Sequence, residues 1–243
     1  HSGHADATPP WRPRTHACRV RGSFESVRTY SRELQANAIG LFHFGMRAIA
    51  MSLLRQCLVF RAEHRPRHTD ASEGANTTYR NPQLSIESRS VGELADDSLR
   101  VDMAYVGICG TDIHMLQTDA DGYVKSSAPA RAPAEGRIFG HEGVGRIGAI
   151  GKNVRDFTVG DWVALESILT CNRCEPCRRG QFNQCHQAQL IGLQEDGMFA
   201  STADIPAKLA HNINDMVASH PAGLRAAACL EPAGVAWTAC EKA

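Results

Sequence analysis

Four cysteines crowd into one short stretch of the chain and constrain its fold more than any other feature. Two residues separate Cys171 from Cys174 and Cys174 from Cys177, and seven more precede Cys185. Four thiolates on one loop can surround a tetrahedral zinc ion, with Zn–S bonds of about 2.3 Å. Because four sulfurs leave no open position on the ion, such a zinc is structural. The spacing therefore predicts a small lobe folded around a structural zinc ion.

Three other uses of this cysteine run compete with zinc. Disulfides are one, but two-residue gaps give poor bridge geometry for all four sulfurs. A bacterial-type iron–sulfur run begins in the same way, but its fourth cysteine comes sooner and precedes a proline. A nucleic-acid-binding zinc module would need a reading helix and a basic face, and the sequence indicates neither. The spacing and the softness of the ligands favour structural zinc.

Bulk properties narrow the class of protein further. The chain has 243 residues and a formal net charge of zero, so nothing points to nucleic acid or a membrane surface as a partner. Nine cysteines are an odd number for a disulfide framework, and their clustering indicates metal and a reducing compartment, for which we expect the cytoplasm. No run of about 18 charge-free apolar residues exists, so we expect no membrane span.

The N-terminal part of the chain differs from the rest. Residues 1–70 hold eleven Arg, no Lys and five acidic residues. An Arg-rich, acid-poor start resembles an organelle-targeting leader, but we favour a disordered extension. Apolar spacing within residues 24–56 is also compatible with a helix. We expect residues 1–50 to be such an extension and residues 51–243 to form the folded domain, with its core at 84–243.

Hydrophobic patterning predicts a mainly β domain. Four apolar residues from Leu99 to Tyr105 alternate strictly with other residues, which is typical of a half-buried strand. From Phe139 to Ala203, short apolar runs are broken repeatedly by glycine, as in a small β-barrel with tight turns. Helical composition returns only at residues 222–243.

Three further motifs carry residues that can bind a catalytic zinc ion. Cys109 follows the alternating strand, His141 and Glu142 lie in a Gly-His-Glu-Gly motif, and Glu231 lies in a Leu-Glu-Pro motif. Catalytic zinc needs about three protein ligands and one open position for water or substrate. Each motif is weak by itself, because a lone cysteine is usually core and a lone His-Glu pair is usually surface. Together they supply a thiolate, an imidazole and carboxylates.

The order of these motifs resembles the zinc-dependent medium-chain dehydrogenase/reductase family, and within it the threonine, sorbitol and glucose dehydrogenase branch. The matching segments, in chain order, are VGICGTDIH, GHEGVGRIGAIG, VGDWVALESILTCNRCEPCRRGQFNQC and LEPAG. The resemblance covers about residues 84–243 and leaves out residues 1–50. It implies a GroES-like, partly open β-barrel catalytic domain with flanking helices and a four-cysteine zinc lobe. The Rossmann domain that such an enzyme needs for its nicotinamide cofactor is not expected in this chain.

The resemblance also assigns the zinc ligands. It makes Cys109, His141 and Glu142 the catalytic-zinc cluster, with Glu231 as an alternate ligand or a catalytic proton-relay carboxylate. It implies two zinc ions per chain, one catalytic and one structural, and NAD or NADP as the hydride carrier. The implied activity is oxidation of a secondary alcohol, polyol or amino alcohol by an enzyme that is a homo-oligomer at full length. The alternative is a truncated, catalytically inactive zinc-binding domain.

Two more catalytic positions follow from the same resemblance. Thr111 takes the place of the hydroxyl that passes on the substrate proton, and His114 takes that of the next relay group. The chemistry agrees, because zinc lowers the pKa of an alcohol hydroxyl. The released proton then needs a hydroxyl and an imidazole to leave a dry site.

One glycine motif is a decoy. Residues 143–148 match G-x-G-x-x-G, but a dinucleotide-binding motif follows a strand and opens a helix. Here residues typical of a turn follow, so we predict a barrel strand instead.

Two local features remain open in the sequence. The segment between Cys109 and His141, with its core at Gln117–Arg137, is longer than the family leads us to expect. It either borders the substrate pocket or forms an exposed loop with no contact to it. Pro232 favours the first position of a helix, which places Glu231 near the N-cap, where its carboxylate either caps the helix or serves the zinc.

Overall fold

A computed structural model describes residues 54–67 and 74–241 of the chain. These residues belong to one compact unit that spans Met51–Ala243. The predictions for residues 1–50 lie outside the described residues, and so does most of the helix expected within 24–56. The last three residues of that expected helix, from Leu54, are strand, so the helix is wrong there.

A five-stranded antiparallel sheet forms the centre of this unit, in the order β10-β6-β5-β3-β9. Its strands are β3 (Ser98–Gly107), β5 (Glu142–Ile150), β6 (Trp162–Leu165), β9 (Thr202–Pro206) and β10 (Ala210–Asn212). The main apolar core is built by side chains of this sheet and its connections, among them Leu99, Val101, Ile147, Val163, Met198 and Ile205. Full burial of one such side chain contributes roughly 1.5–3 kcal/mol.

Strand β3 confirms the alternating pattern over its first half only. Leu99 and Val101 are completely buried, whereas Tyr105 is 44% exposed. The register against β5 shifts between Met103 and Tyr105, which marks a β-bulge or a comparable irregularity. An extra residue turns the following side chains to the other face of a strand, so the expected burial of Tyr105 is wrong.

Two smaller sheets complete the β structure. The first is an antiparallel sheet in the order β2-β1-β4, built from β1 (Leu54–His64), β2 (Tyr79–Ser90) and β4 (Arg137–Ile138). The second pairs β7 (Ile168–Leu169) with β8 (Gln189–Leu190). All pairs of named strands in residues 54–67 and 74–241 are antiparallel, so this part of the chain contains no doubly wound parallel sheet. The predicted fold class, a mainly β domain with a four-cysteine lobe, is confirmed.

Short helices occur at more places than the composition indicated. They are α1 (Ala75–Thr78), α2 (Gly110–Leu116), α3 (Glu175–Arg178), α4 (Asn214–Ser219), α5 (Gly223–Ala227) and α6 (Leu230–Glu241), with 3-10 turns at Phe182–Gln184 and Ala207–Leu209. The expectation of helix only at residues 222–243 is therefore wrong, because helices of four to seven residues are too short to show an apolar period. Within the part of the chain that the structure describes, no helix is long and apolar enough to cross a membrane.

The G-x-G-x-x-G segment lies inside β5, which pairs with β3 on one side and with β6 on the other. It opens no helix and forms no phosphate-binding turn. The prediction of a barrel strand is confirmed.

The long segment after α2 is held firmly in place. The ring of Tyr123 is 8% exposed and lies under the guanidinium of Arg67, 4.0 Å from its centroid. Arg67 also forms an ion pair with Asp119, whose carboxylate accepts the backbone N–H groups of Asp121 and Tyr123. These contacts tie the segment to the rest of the described domain.

Candidate metal centres

The pairing of β3 with β5 brings the first candidate centre together. The Cys109 sulfur, a His141 ring nitrogen and a Glu142 carboxylate oxygen all lie within 4.8 Å of one another. Cys109 stands between the end of β3 and the start of α2, while His141 and Glu142 stand at the start of β5. Gly107 of β3 is paired directly with Glu142, so the two strand ends meet. The His141 side chain is 12% exposed and Glu142 is 7% exposed.

Two glycines make room for this arrangement. A Cβ atom at Gly107 would collide with the carboxylate of Glu142, so only glycine leaves that carboxylate in place. Gly140 has a φ of +91°, which L side chains rarely adopt, and it directs the chain into His141.

Asp112 supports the centre from α2. Its Oδ2 accepts a hydrogen bond from the Cys109 backbone N–H at 3.0 Å, and its Oδ1 lies 3.7 Å from Nδ1 of His141. Asp112 is 4% exposed, and burial raises its pKa, opposed by the Cys109 N–H and by His141. A carboxylate beside one ring nitrogen orients a histidine so that the other nitrogen faces a metal. Sequence analysis missed this residue, although its place three residues after the N-cap Cys109 is the spacing of a capping box.

The donor set fits a catalytic zinc ion. One thiolate, one imidazole and one carboxylate are common zinc ligands, and three protein ligands leave a fourth position open. The Nδ1 atom of His141 and the Oδ1 atom of Asp112 are both buried without a hydrogen-bond partner among the described residues. A cation held by the cluster would compensate for this buried carboxylate oxygen that accepts no hydrogen bond.

The four-cysteine lobe forms the second candidate centre. The sulfurs of Cys171, Cys174, Cys177 and Cys185 all lie within 4.8 Å of one another. Those of Cys174 and Cys185 are 4.0 Å apart, close to the separation of about 3.8 Å that a tetrahedron of 2.3 Å bonds gives. All cysteines in the described residues are free of disulfides. The lobe therefore has the ligand set and the dimensions of a structural zinc site.

The surroundings of these thiols give them different pKa values. The N–H groups of Arg173 and Cys174 lower the pKa of Cys171 to about 6. Burial raises the pKa of Cys177 to about 12. Four crowded thiols cannot all ionise alone, whereas a bound metal ion deprotonates the thiols that coordinate it.

A cavity of about 590 Å³ opens beside the first centre. Glu142, Ser167 and Glu231 line it, together with groups from β6, from α6 and from the cysteine lobe. Glu231 lies in the first turn of α6, which begins at Leu230, so it stands at the predicted helix start but one residue inside it. Its Oε1 accepts a hydrogen bond of 2.9 Å from Ser167 Oγ. Glu231 is not part of the ligand cluster, and its carboxylate stands in the cavity instead.

The two predicted relay residues share α2. Thr111 is half-buried and His114 is exposed, and they are three residues apart on the helix, which places them on one face. The lining of the 590 Å³ cavity includes neither residue, nor any residue from 117–137. The expectation that this long segment borders the substrate pocket therefore finds no support in that cavity.

Comparison with known proteins agrees with this geometry. Residues 95–215 match the family model of the alcohol dehydrogenase GroES-like domain. The chain belongs to the zinc-dependent medium-chain alcohol dehydrogenase family. Among curated members, a probable D-xylulose reductase A of Aspergillus clavatus is 31% identical over 156 residues, which are 63% of this chain and 40% of that protein. L-threonine 3-dehydrogenase of Serratia proteamaculans is 35% identical over 131 residues, 52% of this chain and 36% of that enzyme.

Solved structures described as alcohol dehydrogenases show the same fold. A Thermotoga maritima structure assigned as an alcohol dehydrogenase superimposes with a TM-score of 0.67 at 26% identity, covering 76% of this chain and 51% of that one. An Escherichia coli alcohol dehydrogenase solved with NADH gives 0.54 at 27% identity, covering 74% and 42%. The chain thus spans about 40% of the length of the first curated relatives that it matches.

Proposed function

We propose that this chain is the catalytic domain of a zinc-dependent, NAD(P)-linked dehydrogenase that oxidises a secondary alcohol, polyol or amino alcohol, and reduces the carbonyl in reverse. The observation that carries the proposal is the convergence of Cys109, His141 and Glu142 beside a cavity that also holds Glu231. Family membership supports the same reaction class.

Each residue has a part that its position supports. Zinc bound by Cys109, His141 and Glu142 would act as a Lewis acid and lower the pKa of the substrate hydroxyl. Asp112 fixes the ring of His141, and Glu231 provides a carboxylate within the cavity. Thr111 and His114 are proposed to carry the substrate proton outwards, and the exposed imidazole suits the solvent end of that path.

The substrate class follows from the walls of the cavity and from the relatives. Ser167, Asn183, His211 and Glu231 give the cavity several polar groups, which can bind the hydroxyl groups of a small polar substrate. The similar proteins include a probable D-xylulose reductase, an L-threonine 3-dehydrogenase and a sorbitol dehydrogenase. We therefore propose a small polyol or amino alcohol. That the full-length enzyme is a cytoplasmic homo-oligomer stays a prediction.

The second candidate function is a zinc-stabilised domain that has no turnover by itself. The observation that favours it is the share of about 40% of its relatives' length that the chain spans. The nicotinamide cofactor, which would accept the hydride, needs a binding site that the described residues do not show.

One assay series separates the two functions. The 243-residue chain and a product extended downstream in its reading frame are assayed with sorbitol, xylitol and threonine, each with NAD and with NADP. Reduction of the cofactor by the extended product only, abolished by Cys109→Ser, supports the proposal and makes this chain its catalytic part. An extended product that folds, binds zinc and reduces neither cofactor would favour the domain without turnover.

A further inference from the structure

We propose that Ser167 is a positioning residue that holds the carboxylate of Glu231 off the catalytic metal ion and so keeps one ligand position open for substrate. This inference rests on the function proposed above. It adds that Ser167 decides whether Glu231 becomes a fourth ligand of the metal ion.

Ser167 is placed rigidly enough for this task. It is 5% exposed and lies between β6 and β7, just before the cysteine lobe begins. Its backbone carbonyl accepts the N–H of Ile191 at 2.9 Å, which fixes the main chain. Its hydroxyl donates to Glu231 Oε1 at 2.9 Å, across 64 positions of sequence. Burial and a fixed backbone leave this hydroxyl few alternative orientations.

Glu231 depends on that single contact. The structure shows no other side-chain hydrogen bond or ion pair for Glu231 within residues 54–67 and 74–241. Glu231 and Glu142 line the same cavity, yet only Glu142 belongs to the ligand cluster. The two carboxylates thus face one space from α6 and from β5, and Ser167 bonds to one of them.

A carboxylate in that cavity has two favourable partners. A divalent cation in the cluster attracts it, and the Ser167 hydroxyl holds it back. A hydrogen bond to a charged group is strong enough to shift such an equilibrium about tenfold. If the carboxylate moved onto the ion, it would fill the position that substrate needs and add a fourth protein ligand. The Ser167 hydroxyl therefore favours an open metal site.

The test uses Co²⁺ as the probe, because its visible absorption reports the number and geometry of its ligands. The 243-residue chain is prepared with zinc kept in the cysteine lobe, and Co²⁺ is titrated into the Cys109 cluster against a competing chelator. Ser167→Ala should bind Co²⁺ about tenfold more tightly than the wild type and change its visible spectrum, because Glu231 is free to coordinate. Ser167→Thr, which keeps the hydroxyl, should restore the wild-type values.

Two further variants identify the cause. Adding Glu231→Gln to Ser167→Ala should return affinity and spectrum to those of the wild type, because the released carboxylate is then missing. Ser98→Ala removes a different buried hydroxyl, on β3, from a residue that is 9% exposed, and should change neither quantity. This control shows whether the loss of any buried serine hydroxyl has the same effect on Co²⁺ binding.

Several outcomes would overturn the proposal. They are an unchanged affinity and spectrum in Ser167→Ala, or a change that survives in the double variant. The single variant Glu231→Gln keeps Ser167, so it tests the proposal even if Ser167→Ala does not fold. It should keep wild-type Co²⁺ affinity, whereas a loss of affinity would make Glu231 a resident ligand. Failure of the proposed function gives a different result. In that case the wild-type chain and Cys109→Ser would bind the same amount of Co²⁺, because the Cys109 cluster would hold none.

Discussion

The Nδ1 atom of His141 lies 3.7 Å from Oδ1 of Asp112, and both atoms are buried without a hydrogen-bond partner among the described residues. His141 immediately precedes β5 and Asp112 lies in α2, and no local pattern links them. A carboxylate this close to Nδ1 would orient the ring and leave Nε2 of the imidazole for a metal ion.

Asp112→Asn should therefore weaken metal binding at the Cys109 cluster by about 10- to 100-fold, as changes in residues that orient metal ligands typically do. The fold should survive, because an amide oxygen can still accept the Cys109 N–H. Zinc competition with a graded chelator measures the effect, and the zinc of the cysteine lobe is the internal control. Unchanged affinity would show that His141 needs no support from Asp112.

Metal analysis of protein purified without chelators should find two zinc ions per folded chain, because the structure holds two separate ligand clusters that fit zinc. Cys109→Ser should keep the structural ion, and Cys174→Ser should keep the catalytic one if the domain remains folded. If the protein holds a single zinc ion and Cys109→Ser leaves it bound, the Cys109 cluster is not a zinc site. If the protein holds a single zinc ion and Cys174→Ser leaves it bound, the four-cysteine lobe is not a zinc site.

Gly107→Ala should displace the Glu142 carboxylate, since the added Cβ would collide with it. We expect metal affinity at the Cys109 cluster to fall by about tenfold or more while the β structure is retained. Chelator competition and far-UV circular dichroism measure the two quantities. Gly92→Ala is the matched control, because a Cβ atom there meets nothing within 4 Å. Equal affinity in the two variants would contradict the role of Gly107.

The ion pair of Arg61 with Glu87 should make stability depend on pH. Hydrogen bonds from Arg61 and Ser85 lower the pKa of Glu87 from its ordinary 4.5 to about 2. A carboxyl group with a lowered pKa stabilises the fold above its unfolded-state pKa and loses that contribution as pH falls through its folded-state pKa. The difference in unfolding free energy between wild type and Glu87→Gln should therefore be constant above about pH 5 and shrink between about 4.5 and 2.

Urea unfolding at several pH values measures that difference, and acid effects shared by both proteins, such as zinc loss, cancel. Glu93→Gln is the control, because Glu93 is exposed and forms no ion pair among the described residues. If the Glu87→Gln difference stays constant down to about pH 2, the ion pair contributes nothing that protonation removes.

Residues 1–50 should be dispensable, because they show no alternating strand pattern that could pair with the barrel. Limited proteolysis should remove them before it cuts within 84–243. A chain that starts at Met51 should keep its circular dichroism spectrum and both zinc ions. Loss of folding in that shortened chain would move the domain boundary towards the N-terminus.

Sequence alone determined the parts of this protein that depend on local geometry. The ligands of the cysteine lobe fall within 15 consecutive residues, from Cys171 to Cys185, so their spacing already restricts where the sulfurs can lie. The residues after Gly148 favour a turn, which was enough to reject a dinucleotide-binding loop. The alternation from Leu99 onwards predicted β3, but it contained no sign of the irregularity that exposes Tyr105.

Only the tertiary structure decided how the first centre is assembled. Cys109 and His141 are 32 positions apart in sequence, and they meet because β3 and β5 pair in a register that no local pattern specifies. The approach of Asp112 to His141, and the hydrogen bond from Ser167 to Glu231, depend in the same way on how helices pack against strands. Contacts between residues far apart in sequence follow from register and packing, which many residues determine jointly.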